Sequence, residues 1–329
     1  MIEGIDIGYD RVKFYTQLKY GSFPSLTGTP ETSSFGYTPD DANAIILTHP
    51  YHVAVGAQAL EQSASVDPRI DRGWIGSDKW MALALAAFSE ATTKSVDLYL
   101  VCGLPVAYYE KDRAQVVDKL LGQHTLQRQG RHKQTINVKT CTVMPQGFGA
   151  LFAECLHDNG TVADKPLRWG RVGTLDIGGR TTNALIASKA KMINKESGSI
   201  EVGGWNVAAR VLSYLENNYP DLSLTEYQLV EHIKSKTINY HGQPVDLTAV
   251  IDDAAQSLAE NVIGYARRKW GGAAELDAIL IAGGGAHLIG SHLLAEFPQA
   301  RLVSGDPVFS NARGYWKFAQ AQWAAANKK

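Results

Sequence analysis

Three short glycine-bearing stretches of this 329-residue chain have the residue types needed to hold a polyphosphate. The first is Asp6-Ile7-Gly8-Tyr9-Asp10-Arg11-Val12-Lys13. A tight turn between two strands points backbone N–H groups into a concave nest, which suits phosphate oxygens. Gly8 lets a phosphate approach the backbone, with Tyr9 and Asp10 beside it in the turn. Asp6, at the strand end, is a candidate to reach Mg²⁺ through water. Lys13, after the turn, can return toward a β-phosphate. The second stretch, Leu175-Asp176-Ile177-Gly178-Gly179-Arg180-Thr181-Thr182-Asn183, repeats that grammar. Asp176 is the second metal candidate, and Gly178, Gly179, Arg180 and Thr181 are the second set of phosphate contacts. The third, Ile279-Leu280-Ile281-Ala282-Gly283-Gly284-Gly285-Ala286-His287-Leu288, joins a strand to a helix. Gly283, Gly284 and Gly285 leave the backbone bare enough for a flat adenine and an α-phosphate, with His287 in the helix's first turn. Taken singly, each stretch is also what an ordinary hairpin or strand–helix joint looks like. The same Asp-x-Gly in two places is less ordinary.

Two further positions belong with these. Gln146, in Pro145-Gln146-Gly147-Phe148-Gly149-Ala150, is read as the head of a helix aimed at the same site. A glutamine there can orient an attacking water without being a strong base; a polar helix-start residue is the plainer alternative. Asn311-Ala312-Arg313-Gly314 opens the last helix with small residues that permit close helix crossing. Other chemistries lack their signatures. The chain has no Gly-x-Ser-x-Gly elbow, no Gly-Lys-Ser/Thr and no His-x-x-x-His. The third stretch is not Gly-x-Gly-x-x-Gly, so a dinucleotide reading is weak.

The elements that must position these residues follow from periodicity. Ile2–Ile7 and Val12–Leu18 read as a hairpin, and residues 20–71 as a small irregular insertion with strand-like pieces at 44–48 and 51–55. Lys79–Ala91 has helical spacing, Val96–Val101 is a buried strand, Val106–Leu121 an amphipathic helix and Thr135–Val143 a strand. Residues 158–170 form a connector. Then the pattern restarts, with strands at 172–177 and 181–186, helices near 205–217, 225–236 and 247–269, a strand at 277–282, and helices at 286–297 and 310–323. A strand–glycine turn–strand unit heads each half, which predicts two related α/β domains facing across a cleft. We expect domain I over 1–157, with its insertion at about 20–92 and a closing helix at 309–329, and domain II over 158–308.

Bulk properties agree with two domains at about 150 residues each. Thirty-two basic and 33 acidic residues leave a net charge of -1, which gives no general pull toward nucleic acid or anionic lipid. Cys102, Cys141 and Cys155 are odd in number and far apart, which argues against a disulfide framework or a zinc site. The N-terminus has no signal-peptide pattern, and no apolar run approaches the ~20 residues that span a bilayer. A cytoplasmic protein with no membrane partner is the expectation.

The order of these pieces resembles the actin / heat-shock chaperone / sugar kinase superfamily, over the whole chain. Within it, Val101-Cys102-Gly103-Leu104-Pro105-Val106, Asp176–Thr182 and Asn311–Gly314 look like the ParM/StbA plasmid-segregation actins and their archaeal relatives. The resemblance implies a duplicated ribonuclease H-like fold with ATP (or GTP) and Mg²⁺ in the interdomain cleft. Asp6 and Asp176 would then serve the metal, Gln146 the water, and Glu231, Lys234 and Ser235 the nucleoside. Two departures stand out: Tyr9 replaces a serine found in many members, and Arg180 interrupts a run of small residues. The implied activity is ATP hydrolysis coupled to polymerisation, in plasmid segregation or a cytoskeleton. Self-association is the implied partnership, with a DNA-binding adaptor as a further candidate. A small-molecule kinase of the same superfamily is the alternative, and it needs an acceptor base. The chain offers none beyond Asp6 and Asp176, and it ends soon after the last cleft helix, without room for a chaperone's substrate domain.

Overall fold

The computed structural model describes residues 1–31, 44–63 and 72–327. Two sheets organise it. The first has nine strands in the order Tyr20–Pro24, Arg11–Tyr15, Ile2–Ile7, Val96–Leu104, Gln134–Pro145, Gly122–Arg128, Ile45–His49, Val53–Val55 and Thr27–Gly28. The second runs Lys191–Met192, Thr182–Ser188, Arg171–Ile177, Ala278–Ala282 and Ala300–Leu302, with Gly198–Ile200 also pairing Thr182–Ser188. Each sheet is built on the same device. An antiparallel hairpin supplies two strands, and its first strand pairs in parallel with a later one: Ile2–Ile7 with Val96–Leu104, and Arg171–Ile177 with Ala278–Ala282. These central strands are apolar and β-branched, as strands buried on both faces must be.

The duplication extends to register. Asp6 sits opposite Lys13, and Asp176 opposite Asn183. Both hairpins close with the same four-residue bond, Gly8 N–H to Arg11 O at 3.2 Å and Gly178 N–H to Thr181 O at 2.9 Å.

Helices cover the sheets. Asp78–Ala91 starts at Ser77, whose hydroxyl accepts from Trp80 N–H, and buries ten of its residues, so it is a core helix rather than a half-exposed one. The helices Phe148–Cys155 and Ser310–Ala326 cross at backbone contact. A Cβ on Gly314 would lie 1.7 Å from Gly149 O, and one on Gly149 2.5 Å from Asn311 Cα. The last helix also packs on Ile2–Ile7 and Val96–Leu104, returning the C-terminal segment to the first sheet. One apolar cluster, including Val101, Phe148, Leu151, Leu185, Leu280 and Tyr315, joins residues of both sheets behind the cleft. Among the described residues no helix is long and apolar enough to cross a membrane.

Several elements differ from the periodicity reading. Tyr20–Pro24 is a regular strand at the sheet edge, not part of an irregular insertion. Residues 32–43 and 64–71 of that insertion lie outside the described residues. Gly122–Arg128 is a strand whose pattern is masked because its inward positions include Arg128, 2% exposed and paired with Glu90. Thr237–Tyr240 and Gln243–Asp246 form a polar hairpin in a stretch without sustained apolar alternation. Gln146 precedes its helix, which begins at Phe148 after Gly147 at φ 97°. It therefore extends from the end of Gln134–Pro145, held by its N–H to Leu104 O at 2.7 Å.

Candidate functional site

The two hairpin turns face each other across a cleft of about 600 Å³. Its lining brings together Asp6, Gly8, Tyr9, Asp10, Lys13, Gln146, Asp176, Gly178, Gly179, Arg180, Thr181, Lys234, Gly283, Gly284, Gly285 and His287. Glu231 and Ser235 are not among the lining residues. Glu231 is exposed and pairs with Lys234 at 2.7 Å, while the Ser235 hydroxyl donates to the carbonyls of His232 and Thr237.

At the floor, the two strand-end carboxylates are tied to one another through amides. Gln146 Nε2 donates to Asp6 Oδ1 at 2.7 Å, and its Oε1 accepts from Asn183 Nδ2 at 3.1 Å. Asn183 Nδ2 also reaches Asp176 Oδ2 at 3.3 Å, and Asn311 Nδ2 donates to the same oxygen at 3.0 Å. Lys13 Nζ stands 3.3 Å from Asp6 Oδ2. The result is a buried line from Lys13 through Asp6, Gln146, Asn183 and Asp176 to Asn311. The line sets the orientation of the Gln146 amide, since its two ends are held by opposite halves of the molecule. Asn183 is fixed in turn by Val106 N–H and the Ser199 hydroxyl, both donating to its Oδ1.

The electrostatics of this floor are unbalanced. Burial, and after it the nearby Asp6 charge, push the Asp176 carboxyl up from the usual 3.8 to about 6. Hydrogen bonds from Asn311 and Asn183 and the charge of Lys13 work the other way. Two buried acidic groups thus share the cleft floor with one lysine. That arrangement is strained unless a cation or cationic complex sits between them.

Farther out, the walls become apolar. Ala208, Val230, Ile233, Ile251, Ala255 and Leu288 form a slot beyond Gly283–Gly285 that can take a flat ring. Gly283 adopts φ 82°, and its N–H donates to Pro307 O, which turns the chain from strand into helix here. His287 Nε2 lies 3.3 Å from Asp306 Oδ1 at the rim. Among the described residues no three His, Cys, Asp or Glu side chains cluster to hold a metal by themselves.

Sequence reasoning passed over several residues of this site. Asn183 was legible in principle, because it occupies the register position of Lys13 in the duplicated hairpin. Asn311 stands among small residues that signal only a helix crossing, yet its Oδ1 accepts from Gly147 N–H and its Nδ2 donates to Asp176. Trp74 and Trp205 carry no local signal and reach the cleft only through packing.

Comparison with known proteins places this geometry. Residues 4–149 match the family model for the N-terminal domain of actin-like proteins, and residues 174–295 that for the C-terminal domain of archaeal MreB-like actin homologues. A non-polymerisable quadruple mutant of pCBH ParM is 24% identical, covering 97% of this chain and 98% of its own, with a TM-score of 0.81. ParM from a 15-stranded Clostridium botulinum filament is 23% identical over 97% and 98%, also at 0.81. The archaeal actin homologue Ta0583 in complex with ADP is 19% identical over 100% and 99%, at 0.78. A search of curated protein sequences finds no match. The fold is therefore the two-domain α/β arrangement of those structures, with its cleft between the halves.

Proposed function

Since the chain is an actin-like protein in both halves, we propose that it binds ATP with Mg²⁺ in the cleft, hydrolyses it, and uses the resulting closure to assemble into filaments. The observation that carries this reading is the facing pair of matched Asp–Gly turns, linked at the floor by the amide of Gln146. The relatives support it: one is described in a filament, and others with ADP, ATP or the analogue AMPPNP.

The roles follow from position. Turn amides at Gly8–Arg11 and Gly178–Thr181 cradle the phosphates from two sides, and Lys13 supplies the cation nearest them. Gly283, Gly284 and Gly285 admit the nucleoside, with Lys234 at the slot's edge and Glu231 paired to it. Gln146 orients water, acting without itself taking the proton. Asp6 and Asp176 fit Mg²⁺, because two carboxylates leave room for the several waters and phosphate oxygens that this ion keeps. When bound, Mg²⁺ would neutralise charge on the phosphate oxygens and relieve the opposition of the two carboxylates.

Residues 1–157 with 309–329, and 158–308, are then the two domains that rotate together. Closure alters subunit shape, and a head-to-tail contact that does not close on itself gives a filament. We place the protein in the cytoplasm, in plasmid segregation or a cytoskeleton, with a DNA-binding adaptor as the class of partner that would connect it to cargo.

Light scattering and phosphate release, followed together across a protein titration with ATP and Mg²⁺, test the reading. Scattering that rises with ATP and with AMPPNP above a critical concentration is expected. A strict monomer under every nucleotide, with phosphoryl transfer to a sugar acceptor, would replace it by the kinase alternative.

A further inference from the structure

The mouth of the cleft carries contacts that a phosphate site does not require. Tyr9 is buried in the first turn, and its ring stacks on Trp74 with centroids 5.5 Å apart and planes at 29°. The guanidinium carbon of Arg180, from the second turn, lies 5.5 Å from the centroid of that same ring. Burial pushes the Tyr9 phenol up to about 12, so the group stays neutral and offers its π-face rather than a phenolate. Other contacts cross at the same place. Trp205 Nε1 approaches Asp10 Oδ1 at 3.5 Å, and the Tyr227 hydroxyl approaches Tyr9 O at 3.5 Å. Trp205 and Tyr227 meet edge to face at 5.2 Å.

The internal duplication shows that these contacts are not a by-product of the turn. The two turns align as Gly8-Tyr9-Asp10-Arg11 and Gly178-Gly179-Arg180-Thr181, each closed by the same backbone bond. At the second position the first turn carries an aromatic residue where the second carries a bare glycine, and at the third an acid where the second carries a base. The bareness is required, since a Cβ on Gly179 would lie 2.6 Å from Asp10 Cβ. Turns whose only task was to hold phosphate would need N–H groups and glycines at these positions. Instead the Tyr9 ring meets the Arg180 guanidinium and Asp10 packs against the bare backbone of Gly179, contacts made between protein groups of the two turns.

We propose that Tyr9, Trp74 and Arg180 form a clasp that couples the two turns directly, so that part of cleft closure is independent of the nucleotide's terminal phosphate. In its consequence this rests on the nucleotide reading above: a diphosphate complex would share the closure of the triphosphate complex. The clasp itself is a contact between protein groups. It makes Arg180 a positioning residue, acting through Tyr9.

A double-mutant cycle tests it, with Tyr9→Leu, Arg180→Met and the pair, each checked for folding by circular dichroism. Binding of ADP and of AMPPNP is read from tryptophan fluorescence, and the radius of gyration without nucleotide from solution scattering. Each single variant should weaken both nucleotides by about three- to thirtyfold, the range of a cation–π contact from exposed to desolvated. The pair should be no weaker than either single, because the second substitution removes a contact already lost. Tyr9→Phe keeps the ring and should keep the coupling to Arg180. Arg180→Met should also enlarge the nucleotide-free radius. Additive effects, an unchanged radius, or a loss confined to AMPPNP would overturn the clasp, the last by making Arg180 a phosphate contact. The two readings fail separately. A wild type that binds no nucleotide but expands on Arg180→Met keeps the clasp and loses the function, whereas normal binding and turnover with additive effects does the reverse.

Discussion

Asp176→Asn is the substitution for which stability and function should move in opposite directions. The carboxyl is 5% exposed and is displaced from 3.8 to about 6 by burial and by Asp6. A shift of about two units corresponds to roughly 3 kcal/mol of differential stability. The sign follows from linkage. The folded carboxyl holds its proton more tightly than the unfolded one, so the contribution of this group to stability is largest below pH 4. It falls as pH rises to about 6, and the full penalty is present above that. Asparagine keeps an acceptor for Asn311 and Asn183 and removes the charge. At pH 8 without nucleotide the variant should therefore melt higher than wild type. The gain is about 4 °C if a chain of this size unfolds as one unit, and more if one domain unfolds alone. The difference should shrink to nothing near pH 4. With ATP and Mg²⁺ the order should reverse, because a ligand that binds only the wild type stabilises only the wild type. Scanning calorimetry at pH 4, 6 and 8, with and without ligand, measures all of this, and phosphate release should be lost in the variant. A variant that melts at or below wild type at pH 8, by a margin that does not change with pH, would refute the strained-carboxylate argument.

Other substitutions probe other parts of the structure. Gln146→Ala should lower kcat by about 10²-fold or more while leaving ATP affinity within a few-fold, since an orienting amide acts in the transition state; collapse of affinity in equilibrium titration, with kcat intact, would make Gln146 a structural tie between the halves. Gly314→Val should unfold or severely destabilise the chain, by more than about 4 kcal/mol, because the added carbon meets Gly149 O at 1.7 Å; a soluble variant with an unchanged melting curve would contradict the helix crossing. Glu3→Met should stabilise the protein at pH 8 by about 1–3 kcal/mol, the cost of a buried polar group without a partner. Glu3 is 0% exposed, neither carboxyl oxygen has a hydrogen-bond partner among the described residues, and burial drives its proton affinity well above the carboxylate range. Its stability contribution is present at low pH and lost as pH rises through the raised value, so the gain measured by urea unfolding should grow from pH 5 to pH 8. A constant gain would count against that account.

The pieces whose physics is local can be read from the chain alone. Asp6–Lys13 and Asp176–Asn183 read as strand–turn–strand because apolar β-branched runs flank glycine turns, and that signal needs no partner. Gly283–Gly285 read as a strand–helix joint for the same reason, and the repetition of one motif at the head of each half foretold the duplicated architecture and the facing turns. What those turns face depends on contacts between distant parts of the chain. Gln146 and Asp6 are 140 residues apart in the chain, and Asn311 and Asp176 135, so their meeting depends on sheet order and on the helix crossing at Gly149 and Gly314. No periodicity encodes that. Glu231 and Ser235 show a different case: they lie within four residues of the cleft-lining Lys234 in the chain, yet Glu231 is engaged by the Lys234 ammonium and the Ser235 hydroxyl by the carbonyls of His232 and Thr237, pairings no periodicity reveals. Glu3 and Arg128 are charged residues at inward strand positions, where apolar ones are expected, and only the packed sheet shows Arg128 paired with Glu90 and Glu3 without a hydrogen-bond partner among the described residues. Local propensity fixes which backbone forms; the environment of a side chain, and so its charge and its chemistry, is set by residues that the chain brings back from far away.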